Sequence, residues 1–337
     1  MRVLVTGGAG YIGSHAAKEL SRQGFQPVVF DNLSEGHRWA VQWGPLVEAG
    51  LSSREAITAA LRDHRIEAVI HFAASAYVGD SMRDPIGYFR NNVIHSLQLL
   101  EAMHHCGVGI LVYSSTCATY GDPETLPLRE DHPQRPVSPY GESKLFVEKA
   151  LRWHTEAYGL RWAALRYFNA SGADPEGEIG ESHRIETHLI PLVIEAGLGS
   201  RPQVEIFGTD YPTSDGTAVR DYVHVSDLAE AHVRALRYLQ EGGVSTAVNL
   251  GVGRGYSVRE VITCVEQVGG VSVPVKLGPR RAGDPPVLVA DPARARAVLG
   301  WQPRFDNLKA IVETAWRWHS TSPLAACAGT RRLAACR

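Results

Sequence analysis

The chain has 337 residues, 44% hydrophobic and 21% charged, with a formal net charge of −2. That length allows a large core and about two domains, and a near-neutral balance without a basic run argues against nucleic acid as a partner. No run of ~18 apolar residues suggests a membrane span, and five scattered cysteines (106, 117, 264, 327 and 336), without a CxxC pair, predict reduced cytoplasmic thiols and no disulfide framework.

The opening stretch, "MRVLVTGGAGYIGS", is apolar only from Val3 to Val5 before its glycines, too short for the core of a signal peptide. "RVLVT" (2–6) instead predicts a strand, followed by a helix over about 11–23. Between them, Gly7, Gly10 and Gly13 give GxxGxxG. Glycines there permit a tight turn and close approach of the backbone to a pyrophosphate, with the helix N-terminus facing the anion. Tyr11 and Ile12 open that helix and belong to the same expected cofactor cradle. The second strand, "PVVF" (27–30), ends at Asp31. A carboxylate there accepts both ribose hydroxyls of NAD and repels a 2′-phosphate; His37 and Arg38 are the only basic residues nearby, so NAD is expected over NADP.

"AVIHF" (68–72) and "ILVYSS" (110–115) predict the next strands, separated by a helical stretch over about 85–105. "SPYGESK" (138–144) opens another helix, with Pro139 suited to its first turn, and "RWAALRYF" (161–168) follows as a strand. Short β-branched runs between helices predict a doubly wound, Rossmann-like α/β fold with a parallel sheet covered on both faces. After Phe168 the texture changes. "NASGADPEGEIGES" reads as a long loop, then come a helix near 188–198, a strand at "VEIFG" (204–208) and the turn-rich "TDYPTSDGT". "STAVNLG" (245–251) returns to the main sheet, whereas 271–290 reads as irregular. The expected organisation is a cofactor domain over 1–169, rejoined by 222–250, a smaller interleaved lobe over 170–221 and 251–320, and a disordered tail over 321–337. The site is expected in the cleft between the lobes.

Tyr140 and Lys144 stand four apart, so they share one face of their helix. An ammonium beside a phenol favours the phenolate, which makes Tyr140 a candidate general base. Taken alone, the pair is commonly a surface Tyr and Lys. The histidines show no grouping at ligand spacing; "HHC" (104–106) reads as a solvated helix end, and no metal is expected.

The motifs "TGGAGYIGSH", "DNLS", "VIHFAA", "NNV", "YSSTCATYG", "SPYGESK", "LRYFN", "IFGTDYPTSDGTAVRDYVHVSDLA" and "PRRAGD" occur together and in order over residues 1–320. Jointly they resemble the extended short-chain dehydrogenase/reductase family, and within it the UDP-glucose 4-epimerases; "HFAASAYVGDS" and "SSTCATYG" also resemble the UDP-xylose/UDP-arabinose 4-epimerases. The resemblance implies an NAD-dependent isomerase of UDP-sugars, acting through a transient 4-keto sugar on the UDP-galactose/UDP-glucose pair or on a UDP-pentose. It gives Tyr140, Lys144 and Thr116 the catalytic roles. It implies that Asp31, Asn32, Ser34, Phe72, Ala73, Ala74, Asn91, Ser114 and Phe168 line NAD. Asn169, His188, Leu189, Phe207, Arg220, Tyr222, Arg281 and Asp284 are implied to hold the UDP-sugar.

Three positions depart from the family pattern. Ala76 replaces a lysine near the NAD pyrophosphate, Gly50 an aspartate near the adenine, and His188 an asparagine beside Leu189. The first two bear on how tightly NAD is held; none touches the Tyr, Lys and Thr group. A nucleotide-sugar 4,6-dehydratase on the same fold needs an acid and a base after the Thr, where this chain has Cys117 and Ala118. Leu288 stands where the family gates the sugar's 2-position and is intermediate in size. The resemblance also implies a homodimer, with Phe89, Val93, Leu97 and Leu100 of one helix and Leu145, Phe146, Lys149 and Trp153 of the Tyr140 helix available to a four-helix seam.

Overall fold

The computed structural model describes residues 1–281 and 283–322. The tail expected to be disordered therefore lies, from residue 323 on, outside the described residues, with Cys327 and Cys336. In chain order, the first half comprises β1 (Arg2–Thr6), α1 (Tyr11–Arg22), β2 (Gln26–Asp31), β3 (Leu46–Glu48), α2 (Arg54–Asp63), β4 (Ala68–His71), α3 (Val78–Arg83), α4 (Pro85–Phe89), α5 (His95–His105), β5 (Ile110–Thr116), α6 (Pro139–Tyr158) and β6 (Arg161–Tyr167). There follow β7 (Asn169–Ser171), α7 (Leu189–Gly197), β8 (Val204–Phe207), β9 (Val219–His224), α8 (Val225–Gln240), β10 (Thr246–Leu250), β11 (Gly255–Ser257), α9 (Val258–Gly269), β12 (Val275–Gly278), β13 (Val287–Leu288), α10 (Ala293–Leu299) and α11 (Leu308–Thr321).

Seven strands form one sheet in the order β10-β6-β5-β4-β1-β2-β3, every pair parallel. The order reverses between β1 and β4, and ligands of such sheets bind beyond the strand ends at that reversal. Alternate residues of each strand serve opposite faces. Val3, Val5, Ile70, Val112, Leu165 and Val248 pack with Leu20 of α1 and with Leu228 and Leu236 of α8. Leu4, Val28, Val69, Leu111 and Ala164 pack with Ile57 of α2, Leu99 of α5 and Val147 of α6. Each Val, Leu or Ile among them, fully buried, contributes about 1.5–3 kcal/mol of transfer free energy. Two apolar faces explain why these strands read as unbroken apolar runs.

The smaller lobe is built on β9, flanked by β7, β11 and β13, with β8 and β12 as a separate parallel pair. Ile190, Val193 and Ile194 of α7, Val261 and Val265 of α9, and Ile311 and Val312 of α11 form its core. Three expectations change. The return to the main sheet begins at α8, because β9 belongs to the small sheet and only α8 and β10 rejoin the large one. The stretch read as irregular supplies β12 and β13, which exist by pairing with β8 and β9. The helix expected over 85–105 is α4 and α5 joined by a π-helical turn, Arg90–Ile94.

Candidate active site

Helix α6 starts where Ser138 Oγ accepts a hydrogen bond from the Gly141 amide at 3.2 Å, with Pro139 in its first turn. A Cβ at position 141 would come within 2.5 Å of the Ala118 carbonyl oxygen. Glycine there lets the first turn of α6 lie against the C-terminal end of β5, which brings Tyr140 to Thr116. Thr116 is the last residue of β5; its Oγ1 accepts from the Ala118 amide at 3.1 Å. One turn into α6, Lys144 is buried, and its Nζ donates to the Ser114 carbonyl at 2.9 Å and lies 5.0 Å from the Tyr113 ring centroid.

Burial brings the Lys144 ammonium down to about 7, with Glu148 one turn on opposing the shift. Burial also pushes the Tyr140 phenol above its ordinary value, and the neighbouring Tyr167 adds to this, while the hydrogen bond with Thr116 pulls it back. The expectation that Lys144 lowers the Tyr140 pKa is therefore not met by these protein groups alone. In a dry site the anion loses more from desolvation than it gains from a lysine whose own charge is weakly held. The Cys117 thiol is pushed up to about 12 by burial, so it is not an acid near neutral pH.

The cofactor half is a cradle of backbone. Gly7 has φ +71°, and a Cβ on it would meet the Ala73 nitrogen at 2.6 Å; one on Gly13 would meet the Gly7 oxygen at 2.2 Å. Gly10 is the N-cap of α1 and supplies no side-chain cap, so the first amides of that helix are not capped by its side chain. Ile12 is half-buried in the same turn. Asp31 closes β2 and accepts from the Ala9 amide at 3.0 Å and the Leu33 amide at 2.8 Å. Asn32 Oδ1 accepts from the Ser34 amide at 3.1 Å and from its hydroxyl at 2.8 Å. An uncapped helix N-terminus, glycines that admit no Cβ and a carboxylate at the end of β2 fit a dinucleotide.

Phe72, Ala73 and Ala74 follow β4, with the Phe72 ring 4.6 Å from that of His232. Asn91 lies in the π-turn, where its Nδ2 donates to Ser75 Oγ at 3.1 Å. Ser114 Oγ hydrogen-bonds the Tyr167 hydroxyl, and Phe168 packs with Tyr120, Leu128 and Ala290. Tyr11 Oη donates to the Gly172 carbonyl at 2.6 Å, tying the cradle to the loop after β7. Gly50 lies beside Asn32, and Ala76 is exposed.

On the lobe side, Asn169 is paired with Tyr222 across β7 and β9, and Leu288 with Arg220 across β13 and β9. Arg220 bonds the Val219 carbonyl at 2.7 Å and the Asp284 carboxylate. The Arg281 guanidinium lies 4.0 Å over the Phe207 ring. Leu189 opens α7. Tyr222 is buried in the lobe core with Ile190 and Val261. His188 is engaged by Glu181 and Glu186.

The residue reading missed two groups. Asn92 binds the Ser75 amide (2.8 Å) and carbonyl (3.0 Å) and Ser143 Oγ (3.0 Å), joining the loop after β4 to α6 between Tyr140 and Lys144. The "NNV" motif was its signal. The second group is Glu181, His183, Glu186 and His188, whose side chains converge. The expectation that no histidines group at ligand spacing does not hold there; "ESHRIETH" was legible as alternating carboxylate and imidazole.

Residues 3–251 match the model of the NAD dependent epimerase/dehydratase family. The UDP-glucose 4-epimerase of Rhizobium leguminosarum bv. trifolii is 51% identical over 320 residues, 95% of this chain and 98% of that one. The crystal structure of UDP-glucose 4-epimerase from Brucella ovis, in complex with NAD, superposes with a TM-score of 0.92 at 51% identity, covering 94% of this chain and 97% of that one. That of Bifidobacterium longum, in complex with NAD+ and UDP, has a TM-score of 0.92 at 34% identity, over 96% and 100% of the two chains. The sheet order, the glycine cradle and the family match, which spans most of the cofactor-binding half and β9, agree, and the chain belongs to the NAD-dependent epimerase/dehydratase family.

Proposed function

We propose that this chain interconverts the C4 epimers of a UDP-sugar, with UDP-galactose and UDP-glucose as the pair, and keeps NAD as a catalytic cofactor. The observation that carries this reading is the hydroxyl pair of Tyr140 and Thr116 at the end of β5, with Lys144 behind it and no acid–base pair at Cys117 and Ala118. Bound NAD supplies a reversible hydride acceptor for C4. Gly7, Gly10, Tyr11, Ile12 and Gly13 cradle its pyrophosphate, Asp31, Asn32 and Ser34 take its adenosine ribose, and Phe72, Ala73, Ala74, Asn91, Ser114 and Phe168 line the remainder.

Thr116 Oγ1 and Tyr140 Oη hold the sugar 4-hydroxyl, and Tyr140 Oη takes its proton and later returns it. Lys144 holds the nicotinamide ribose. Burial raises the Tyr140 phenol, so phenolate there needs positive charge beyond Lys144, which a bound cationic nicotinamide would supply. Arg220, Arg281 and Asp284 bind the UDP, the arginines its diphosphate, with Asn169, His188, Leu189, Phe207 and Tyr222 shaping its seat. A fixed UDP lets the 4-keto sugar turn its other face without leaving.

The test uses UDP-galactose deuterated at C4. Label retained at C4 of UDP-glucose supports the reading. Label at C6 of a 4-keto-6-deoxy product, in free NADH or in solvent overturns it.

We also propose a homodimer through α4, the π-turn and α6. Phe89, Ile94, Phe146 and Trp153 are exposed there, the last two at 50% and 72%. Val93, Leu100 and Leu145 instead face the protomer's own interior, so the seam is narrower than the sequence implies. A monomer by light scattering at micromolar protein overturns this.

A further inference from the structure

A second polar cluster lies in the loop leading into α7. Glu181, His183, Glu186 and His188 follow one another as Glu-x-His-x2-Glu-x-His. His188 Nδ1 lies 2.8 Å from Glu181 Oε1 and 2.9 Å from Glu186 Oε1. His183 Nδ1 lies 3.4 Å from Glu181 Oε1 and 3.2 Å from Glu186 Oε2. One ligand atom from each residue can be chosen so that all four fall within 4.8 Å of one another. Bonds of 2.0–2.2 Å to a tetrahedral ion place donors about 3.4 Å apart, which these contacts of 2.8–3.4 Å approach from below.

Glu181 is 2% exposed, yet its Oε1 has no hydrogen-bond partner despite facing both imidazoles. Each Nδ1 carries at most one proton, so two imidazoles cannot donate along four contacts. Four ligand atoms gathered within 4.8 Å of one another can all be used by one cation. The neighbouring Asp174, Glu176 and Glu178 make an instructive contrast. Lys18 Nζ already sits 2.6–2.9 Å from all three, so their positive charge is supplied by the chain.

We propose that Glu181, His183, Glu186 and His188 form a structural divalent-cation site of the zinc type. Two carboxylates neutralise a dication, and two neutral imidazoles with two carboxylate oxygens suit Zn2+ better than the oxygen-seeking Mg2+ or Ca2+. Four protein donors leave no open position, which marks the ion as structural. The loop is already held at both sides: the His37 ring pairs with the Ser182 carbonyl at 2.9 Å, and Trp318 Nε1 donates to the Glu181 carbonyl at 2.9 Å. The ion ties this loop to His188, the N-cap of α7, and so fixes Leu189 and the entrance to the lobe.

The test uses the full chain made without a histidine tag, gel-filtered and assayed for metal by mass spectrometry, then chelated and titrated with Zn2+ and with Co2+. We expect a single Zn2+ per chain, a Tm raised by its return, and the intense visible spectrum of tetrahedral Co2+. His183→Ala and Glu186→Gln lose both the metal and the Tm rise. A wild-type chain with no retained Zn2+ and no Tm response overturns the proposal, leaving two imidazolium–carboxylate pairs. So does Zn2+ bound equally by the variants. Should the variants fold poorly, the wild-type Co2+ spectrum decides, because a weak octahedral spectrum excludes this donor set.

Discussion

The two sides of the cleft are held by different forces. On the sheet side, Asp31, Asn92, Ser114, Thr116 and Lys144 are buried and bonded to backbone or to one another. On the lobe side, Arg220 with Asp284, Arg280 with Asp210, and Arg281 over Phe207 are partly open contacts between side chains. Buried hydrogen bonds in a low dielectric fix one geometry, whereas open ion pairs are worth about 0–1 kcal/mol and exchange partners readily. Under the proposed function, the chemistry falls on the rigid side and recognition of the sugar nucleotide on the side that can rearrange.

This contrast can be broken at four points. The largest effect is expected from Tyr140→Phe, which keeps the fold and NAD but lowers kcat by at least ~100-fold, the scale for removing a general base; near-normal turnover would reassign the base. Next, Gly7→Ala places a Cβ 2.6 Å from the Ala73 nitrogen, where φ is also +71°. Overpacking of about 1–3 kcal/mol should weaken NAD some 5- to 150-fold, read by cofactor titration. Unchanged NAD affinity would mean that the cradle is not rigid.

The third concerns Lys144. Its folded value near 7 lies below the ordinary 10.5, so between those values the unfolded chain binds a proton that the folded chain does not. Stability from this group is complete above pH 10.5, declines as pH falls and is lost below 7. In cofactor-free protein, wild type should therefore gain on Lys144→Met by about 1.4 kcal/mol per pH unit between pH 7.5 and 9, measured by urea unfolding. Parallel curves would place the lysine in a wetter site. The smallest effect is expected at Asp284→Asn, which releases Arg220 and should raise KM for the UDP-sugar only a few-fold with kcat unchanged, in keeping with ~1 kcal/mol for an open pair. A collapse of kcat there would show that the lobe is as rigid as the sheet.

The same contrast governs what the sequence made legible. Six strands of the large sheet, all but β3, are apolar runs buried on both faces, and their limits were readable to within a residue or two. The glycine cradle and Asp31 were readable because each residue type answers a local backbone or charge requirement. β3, β7 and β13 were not, since strands of two or three residues exist only through their partners. Neither was the burial of Tyr222, whose strand "VRDYVH" gives no sign of which face meets α7 and α9. The upward shift of the Tyr140 phenol depends on desolvation, a property of the assembled site. The π-turn leaves no periodic trace, because one altered hydrogen-bond register does not change composition.

That turn has a wider consequence. Arg90–Ile94 spends an extra residue within one helical path, so side chains on its two sides are decoupled from the ordinary 3.6-residue spacing. Asn92 reaches inward to Ser143, while Phe89 and Ile94 remain exposed. The turn works as a phase shifter: deleting one of its residues would restore a plain helix and rotate everything upstream by about 100°. The inward asparagine and the outward phenylalanine would then no longer point their present ways together. The inward network and the proposed outer seam thus both depend on these five residues, and either can be redesigned only in step with the other.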